Sequence, residues 1–328
     1  MKRVLKWVGI VLFAIVALAA VVPFLIPVRP LTDLTPVRDL AGPGDRFVTL
    51  PFDGTDGIDI RYREAGDPES PRAFVLIHGS VFNAATWDDV MESFASKGRV
   101  IAYDRVPYGL SEKILPDEWA AGSPYATDAG VARVFELMDA LGVEKAVLIG
   151  NSYGGVVALR AAALEPERVE ALVFVNAAVY VNENVPTWIM NLPQIERIGP
   201  LIARWIGGSE AFIKSTWHNP DTMSDARLGK TLIHTNAENW DMAFWAYLQT
   251  WTTPALDNII DEPKPPVLVI SGAEDRVVPL SDSERLHSEL AGSDLVVLPD
   301  CGHVPQEECP DAWTNAVLGW IDDKPRAE

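Results

Sequence analysis

The chain has 328 residues, 48% hydrophobic and 22% charged, which suits one large globular domain with an insertion, or two ordinary domains. Its 27 Lys and Arg against 46 Asp and Glu give a net charge of −19. Such a surface repels phosphate backbones and argues against nucleic-acid binding.

The first 28 residues hold three of the basic residues, Lys2, Arg3 and Lys6, and no acid. The remaining 24 basic and 46 acidic residues put −22 on the chain beyond Val28. After Lys6 comes WVGIVLFAIVALAAVVPFLIPV, 22 residues without a charge. About 20 apolar residues cross a bilayer as a helix, and basic residues ahead of them predict a cytoplasmic amino end. Residues 1–28 therefore predict a single-pass membrane anchor, with the following domain outside the cytoplasm. A cleaved signal peptide is the alternative, because Ala17-Leu18-Ala19 resembles a small-residue cleavage site. That reading also exports the domain, as a secreted protein.

Residues 29–45, punctuated by Pro and Gly, predict a linker. RFVTLPF and IDIRYREAG then predict a hairpin around the turn DGTDG. Beyond it, short β-branched runs at 73–79, 99–104, 145–151, 170–176, 266–272 and 294–300 predict strands buried on both faces. Helical patterns at 127–141, 153–165, 281–291 and 308–321 alternate with them. That alternation predicts an α/β fold with a mostly parallel, doubly wound sheet.

Between Ala177 and Pro263 the rhythm breaks. No buried strand is predicted there, and six of the 11 tryptophans fall in it: Trp188, Trp205, Trp217, Trp240, Trp245 and Trp251. About 85 residues without a strand is too long for a loop, so an inserted helical cap is predicted. Its tryptophans either form the cap's own core or line a pocket. One amphipathic helix is expected to place Ile195, Ile198, Leu201, Ile202 and Trp205 on one face. The predicted division is 1–28 anchor or signal, 29–45 linker, 46–179 core, 180–262 helical cap, 263–322 core and 323–328 tail.

The corner Gly150-Asn151-Ser152-Tyr153-Gly154 lies between a predicted strand and a predicted helix, the setting a nucleophile elbow demands. A serine there is held in a strained turn beneath the free N–H groups of a helix start. Serine needs a base to take its proton and an acid to orient that base. Of five histidines, His303 follows the last predicted strand, and Asp275 follows the strand before it. All three residues fall at carboxyl ends of strands, where open α/β sheets place their sites. Glu274 is the adjacent rival for the acid. The Tyr153 N–H is one expected oxyanion donor, and the loop after VLIHG supplies the second, from Ser80 with Val81 as the alternative. His78 is expected to brace that loop. Cys301 and Cys309 show no zinc-like spacing with histidine. Outside the cytoplasm they could pair, closing the loop that carries His303, or both be buried thiols.

HGSVFNAATW, DRVPYGLS, GNSYGG, GAEDRVVP and CGHVPQEECP resemble successive motifs of the α/β-hydrolase fold superfamily, over about residues 46–322. The resemblance implies Ser152 as nucleophile, Asp275 as acid, His303 as base, and Ser80 with Tyr153 as the oxyanion hole. It implies no metal or organic cofactor. Val106-Pro107 stands where the family commonly shows Pro-Gly, and Cys301 where a small residue is usual. Serine in place of aspartate at 152 argues against haloalkane dehalogenase and epoxide hydrolase chemistry. The expected activity is a serine esterase acting on a small, apolar or lipid-like ester. Carbon–carbon bond hydrolysis of a ring-fission dienoate is the alternative, although HGSVFN replaces the glycine-rich stretch of those enzymes. A non-catalytic binding protein is the remaining one.

Overall fold

A computed structural model describes residues 2–120, 122–180, 185–251, 259–260 and 265–324. The strands are β1 (Arg46–Leu50), β2 (Ile58–Ala65), β3 (Ala73–Ile77), β4 (Arg99–Tyr103), β5 (Ala146–Asn151), β6 (Val169–Val175), β7 (Val267–Gly272) and β8 (Asp294–Leu298). They form one sheet in the order β1-β2-β4-β3-β5-β6-β7-β8. β1 and β2 make the predicted hairpin, and β2 also runs antiparallel to β4. Every other pairing is parallel. Every residue of β3, β4, β5 and β7 is buried, whereas the edge strands β1 and β8 are largely half-exposed. Unbroken β-branched runs suit the first position and would be wasted in the second.

The amino-terminal helix α1 (Lys2–Leu25) is long and apolar enough to cross a membrane. α2 (Asp88–Ala95), α3 (Thr127–Ala140) and α4 (Tyr153–Leu164) follow β3, β4 and β5. After β6 come α5 (Thr187–Met190), α6 (Pro193–Gly207), α7 (Glu210–Ser215), α8 (Asp225–Thr231) and α9 (Trp240–Thr250). α10 (Leu280–Glu289) joins β7 to β8, and α11 (Pro305–Glu308) leads into α12 (Pro310–Asp323). One face of the sheet packs α3, α4 and α10, and the other packs α2 and α12 around Trp87, Phe94 and Trp313. The sheet is doubly wound, as its sequence predicts. α2 has no counterpart among the predicted helices, because eight residues carry too few turns for a periodic signal.

Among the described residues, β6 and β7 are joined by helices and turns without a strand. The expected boundary near 262 and the last four residues of the tail lie outside the described residues. α6 carries a buried stripe beside its predicted apolar face, of which Ile195 and Ile202 pack against the core. Its buried side is Gly199, Pro200, Ala203 and Gly207, while Ile195, Ile198, Leu201 and Ile202 are half-buried and Trp205 is 77% exposed. The partner helix α9 sets this orientation. A Cβ on Gly199 would stand 2.2 Å from the Trp245 ring, so a small residue there admits the indole. Trp217, Trp240 and Trp245 are buried, whereas Trp188 and Trp205 lie on the surface.

The segment between α1 and β1 is fastened to this insertion. Arg204 Nη2 donates to the Arg29 carbonyl at 2.9 Å. Thr35 exchanges backbone hydrogen bonds with Asn236 and Glu238 at 2.9 and 3.0 Å. The predicted linker is thus bound to the helical insertion at both ends of its first seven residues.

Candidate active site

β5 hands over to α4 at Ser152, whose backbone stands at φ 54° and ψ −122°. A non-glycine residue is held there only by its surroundings. The Ser152 N–H donates to the Val175 carbonyl at 2.9 Å, and the Ser152 carbonyl accepts from the Ala178 N–H at 3.1 Å. The flanking glycines are steric necessities. A Cβ on Gly150 would stand 2.3 Å from the Gly154 carbonyl oxygen, and one on Gly154 would stand 2.1 Å from that of Ile77. The elbow therefore closes only with glycine at both positions.

The loop after β8 brings His303 to this corner. Asn151 Nδ2 donates to the His303 carbonyl at 3.0 Å, and the His303 N–H donates to the Thr216 carbonyl at 2.7 Å. His303 Nδ1 lies 2.8 Å from Asp275 Oδ2, with the two side chains 4% and 0% exposed. Asp275 is held in turn by the Val277 and Val278 N–H groups at 2.7 and 3.0 Å on Oδ1. Asn176 Nδ2 donates to Oδ2 at 2.6 Å. Four donors satisfy the Asp275 carboxylate, and the imidazole is held through Nδ1. Glu274, the rival acid, is exposed. Among the described residues Ser152 Oγ makes no hydrogen bond to His303. Such contacts are commonly long in resting sites and tighten with substrate.

Ser80 follows β3 on the other side of the elbow. A Cβ on Gly79 would stand 2.8 Å from the Ser152 Cβ, so this loop abuts the serine. Val81 is held at φ 61°, a strained value for a β-branched residue. His78 braces the loop as expected. Its Nε2 accepts the Arg105 N–H at 2.9 Å, which leaves Nδ1 to donate to the Gly79 carbonyl at 2.6 Å. Burial, reinforced by the nearby Arg105 guanidinium, holds His78 well below the ordinary imidazole range, so the ring stays neutral. Tyr247 of α9 reaches over from the insertion and places its hydroxyl 3.5 Å from Ser80 Oγ. Tyr247 packs its ring on Tyr108 at 5.3 Å.

Sequence reasoning missed three of these neighbours: Asn176, Asn151 and Tyr247. The two asparagines sit at strand ends, where asparagine is an ordinary turn residue. Tyr247 lies in a helix whose sequence carries aromatics on several sides. Cys301 and Cys309 form a disulfide with Cα atoms 6.2 Å apart, inside the ordinary range. The bridge spans the turn that carries His303, so the thiol at 301 is not an odd small residue but half of a clasp. Glu308 adds to it, accepting from Gly302, His218 and Asn219 N–H groups at 2.7 to 2.8 Å. Among the described residues, no group of three His, Cys, Asp or Glu stands close enough to hold a metal.

The sequence pattern of the alpha/beta hydrolase family matches residues 74–317. A 2-hydroxymuconate semialdehyde hydrolase of Pseudomonas sp. (strain CF600) is 31% identical, over 71% of this chain and 81% of that protein. The crystal structure of a hydrolase from Pseudomonas aeruginosa PA01 superposes with a TM-score of 0.66 at 25% identity, covering 86% of this chain and 99% of the other. A membrane phospholipase A, described as a bacterial virulence factor, has a TM-score of 0.67 at 24% identity and is matched over 98% of both chains. The last likeness is one of fold, and it extends across the amino-terminal helix.

Proposed function

The chain belongs to the alpha/beta hydrolase family, and from that premise we propose that it is a membrane-anchored serine hydrolase. Its substrate is a carboxylic ester with an apolar or lipid-like body, cleaved through an acyl-enzyme on Ser152. The observation that carries this reading is the 2.8 Å His303–Asp275 pair beside the strained Ser152 turn. In the proposed sequence Ser152 Oγ attacks the ester carbonyl and passes its proton to His303 Nε2. The carbonyl oxygen takes negative charge and accepts from the Tyr153 and Ser80 N–H groups. The tetrahedral centre collapses, the alkoxide leaves with the proton from His303, and water repeats the attack on the acyl-serine. Asp275 orients His303 and stays ionised throughout. The chemistry calls for no metal or organic cofactor.

The proposed division assigns 46–179 and 263–322 to the hydrolase core and 180–262 to a cap over the site. Tyr247 beside Ser80 supports that placement. With Trp217, Trp240 and Trp245 buried as the insertion's own core, the apolar wall above Ser152 falls to Tyr247 and its neighbours. α1 supports anchoring, with Lys2, Arg3 and Lys6 keeping its start in the cytoplasm and the catalytic domain outside. The bonds from Arg29 and Thr35 to the insertion hold that insertion near the bilayer, with exposed Trp188 and Trp205 suited to the interface. A cleaved signal remains the alternative, and the amino-terminal sequence of the mature protein decides: Met1 onward for an anchor, Ala20 onward for a signal.

Carbon–carbon bond hydrolysis is the second reading, favoured by the 31% identity to a 2-hydroxymuconate semialdehyde hydrolase. Nitrophenyl esters of graded acyl length, assayed beside a ring-fission dienoate, separate the two. Each buried methylene contributes about 0.8 kcal/mol, so kcat/KM should climb roughly fourfold per carbon until the pocket fills. Equal rates for acetate and octanoate remove the apolar pocket, and faster dienoate cleavage promotes the second reading. A folded protein that turns over neither substrate would be the non-catalytic alternative.

A further inference from the structure

Two buried guanidiniums line one small cavity that also reaches Tyr153 of the elbow. The cavity measures about 20 Å³ and is lined by Tyr103, Arg105, Tyr125, Arg133 and Tyr153, among others. That is room for a water-sized species and far too little for an organic ligand. Arg105 and Arg133 are 7% and 2% exposed, and Tyr103 is 1% exposed. Arg105 Nε, Arg133 Nε, Arg133 Nη1 and the Tyr103 hydroxyl are all buried and make no hydrogen bond among the described residues. All three nitrogens are donors that cannot accept, and the phenol is able to donate.

The charges around the cavity do not balance. Arg105 has no carboxylate within 4.0 Å among the described residues, and Arg133 has only Glu136, 3.6 Å from its Nε with a side chain 32% exposed. Arg105 is partly compensated by ring faces, with Tyr153 at 4.8 Å and Tyr108 at 5.6 Å. Two buried guanidiniums against one half-exposed carboxylate leave a positive charge out of water, which is costly unless a counter-charge is supplied. The domain carries a large net negative charge, so no general shortage of acidic residues explains this. A water molecule could take up some of the donors, but it brings no charge.

We propose that the cavity between Arg105, Arg133 and Tyr103 is a binding site for a small monovalent anion of the halide class. The two arginines that line it come from two elements, the segment after β4 and helix α3, and Arg133 also lies over the Phe52 ring at 5.6 Å. Arg105 connects it to the elbow, since Arg105 Nη1 donates to the His78 carbonyl at 3.2 Å and the Arg105 N–H donates to His78 Nε2. The anion would therefore hold the arginine that holds the Gly79–Ser80 loop.

The test uses the full chain in detergent. Crystals soaked in sodium bromide are expected to show an anomalous peak between the two guanidiniums. The melting temperature is expected to rise and saturate as chloride replaces gluconate at constant ionic strength. Arg133→Gln is expected to abolish that rise. If the variant fails to fold, the bromide peak in the unaltered protein decides alone. A water that bromide does not replace overturns the proposal, as does a melting temperature identical in chloride and gluconate.

Discussion

Asn176 Nδ2 donates to Asp275 Oδ2 at 2.6 Å, to the same oxygen that receives His303 Nδ1. Asn176 sits just past β6 at φ 47°, and its amide oxygen accepts the Gly272 N–H at 3.3 Å. It thereby ties the end of β6 to the end of β7 and fixes the carboxylate that binds His303 Nδ1, the proposed base. A hydrogen bond to a charged group contributes about 1.5–3 kcal/mol. Asn176→Ala is therefore expected to lower kcat by roughly 10- to 100-fold while KM changes little, and steady-state kinetics on a soluble ester checks it. Asn176→Asp, which sets a second carboxylate beside Asp275, is expected to lose more.

Two glycines should respond in opposite directions. A Cβ on Gly154 would stand 2.1 Å from the Ile77 carbonyl oxygen, whereas one on Gly319 meets nothing within 4 Å. Gly154→Ala forces β3 and α4 apart and is expected to destabilise by about 4 kcal/mol or more, at the exceptional end for a point change. Gly319→Ala, on the exposed face of α12, is expected to stabilise by about 1 kcal/mol through helix propensity alone. Thermal melts of the two variants measure both.

Glu307 gives the stability a pH dependence. Its side chain is 0% exposed, accepts from Trp217 Nε1 at 3.2 Å, and has Arg227 at 4.0 Å. Burial, only partly offset by Arg227, raises its pKa from 4.5 to about 7. The folded state then holds a proton that the unfolded chain has released. Its contribution is full below pH 4.5 and is lost as pH rises towards 7. Glu307→Gln keeps the acceptor without the charge. It is expected to match the parent near pH 4.5 and to exceed its stability above pH 7, by up to about 3 kcal/mol at 1.36 kcal/mol per pKa unit. Urea titrations at pH 5 and pH 8 provide the comparison.

The Cys301–Cys309 bridge closes a loop of sequence separation 8. In the chain-entropy account a loop that short contributes about 2–3 kcal/mol. Cys309→Ala is expected to lower stability by that amount and to depress activity through the turn that carries His303. Intact mass under non-reducing conditions should show the bridge, with two alkylatable thiols only after reduction.

The strands were legible because each is an unbroken apolar run, and Gly150, Gly272 and Gly302 mark the corners at whose far side Ser152, Asp275 and His303 stand. Asn176 was not so marked. Its partner lies 99 residues away, and nothing in the sequence says that β6 and β7 are neighbours until the sheet is assembled. The face that α6 turns to α9 was hidden for a related reason. Hydropathy points to its isoleucines, but the indoles of α9 demand small residues, and Gly199, Ala203 and Gly207 supply them. The segment at 29–45 reads as a linker by its prolines, yet Thr35 pairs with the insertion 200 residues later. Local pattern locates strand ends; packing between distant segments decides which faces meet.

Whether Ser152 is an activated nucleophile is read by a fluorophosphonate probe, which reacts only with a serine whose proton a base can take. The full chain in detergent should acquire one adduct, located by peptide mass spectrometry on the segment containing Ser152. The adduct should be absent from a folded Ser152→Ala protein and slowed by about 10³-fold or more in His303→Ala, because the residues act as a unit. A folded, unlabelled parent protein, or equal labelling of Ser152→Ala, would contradict the account.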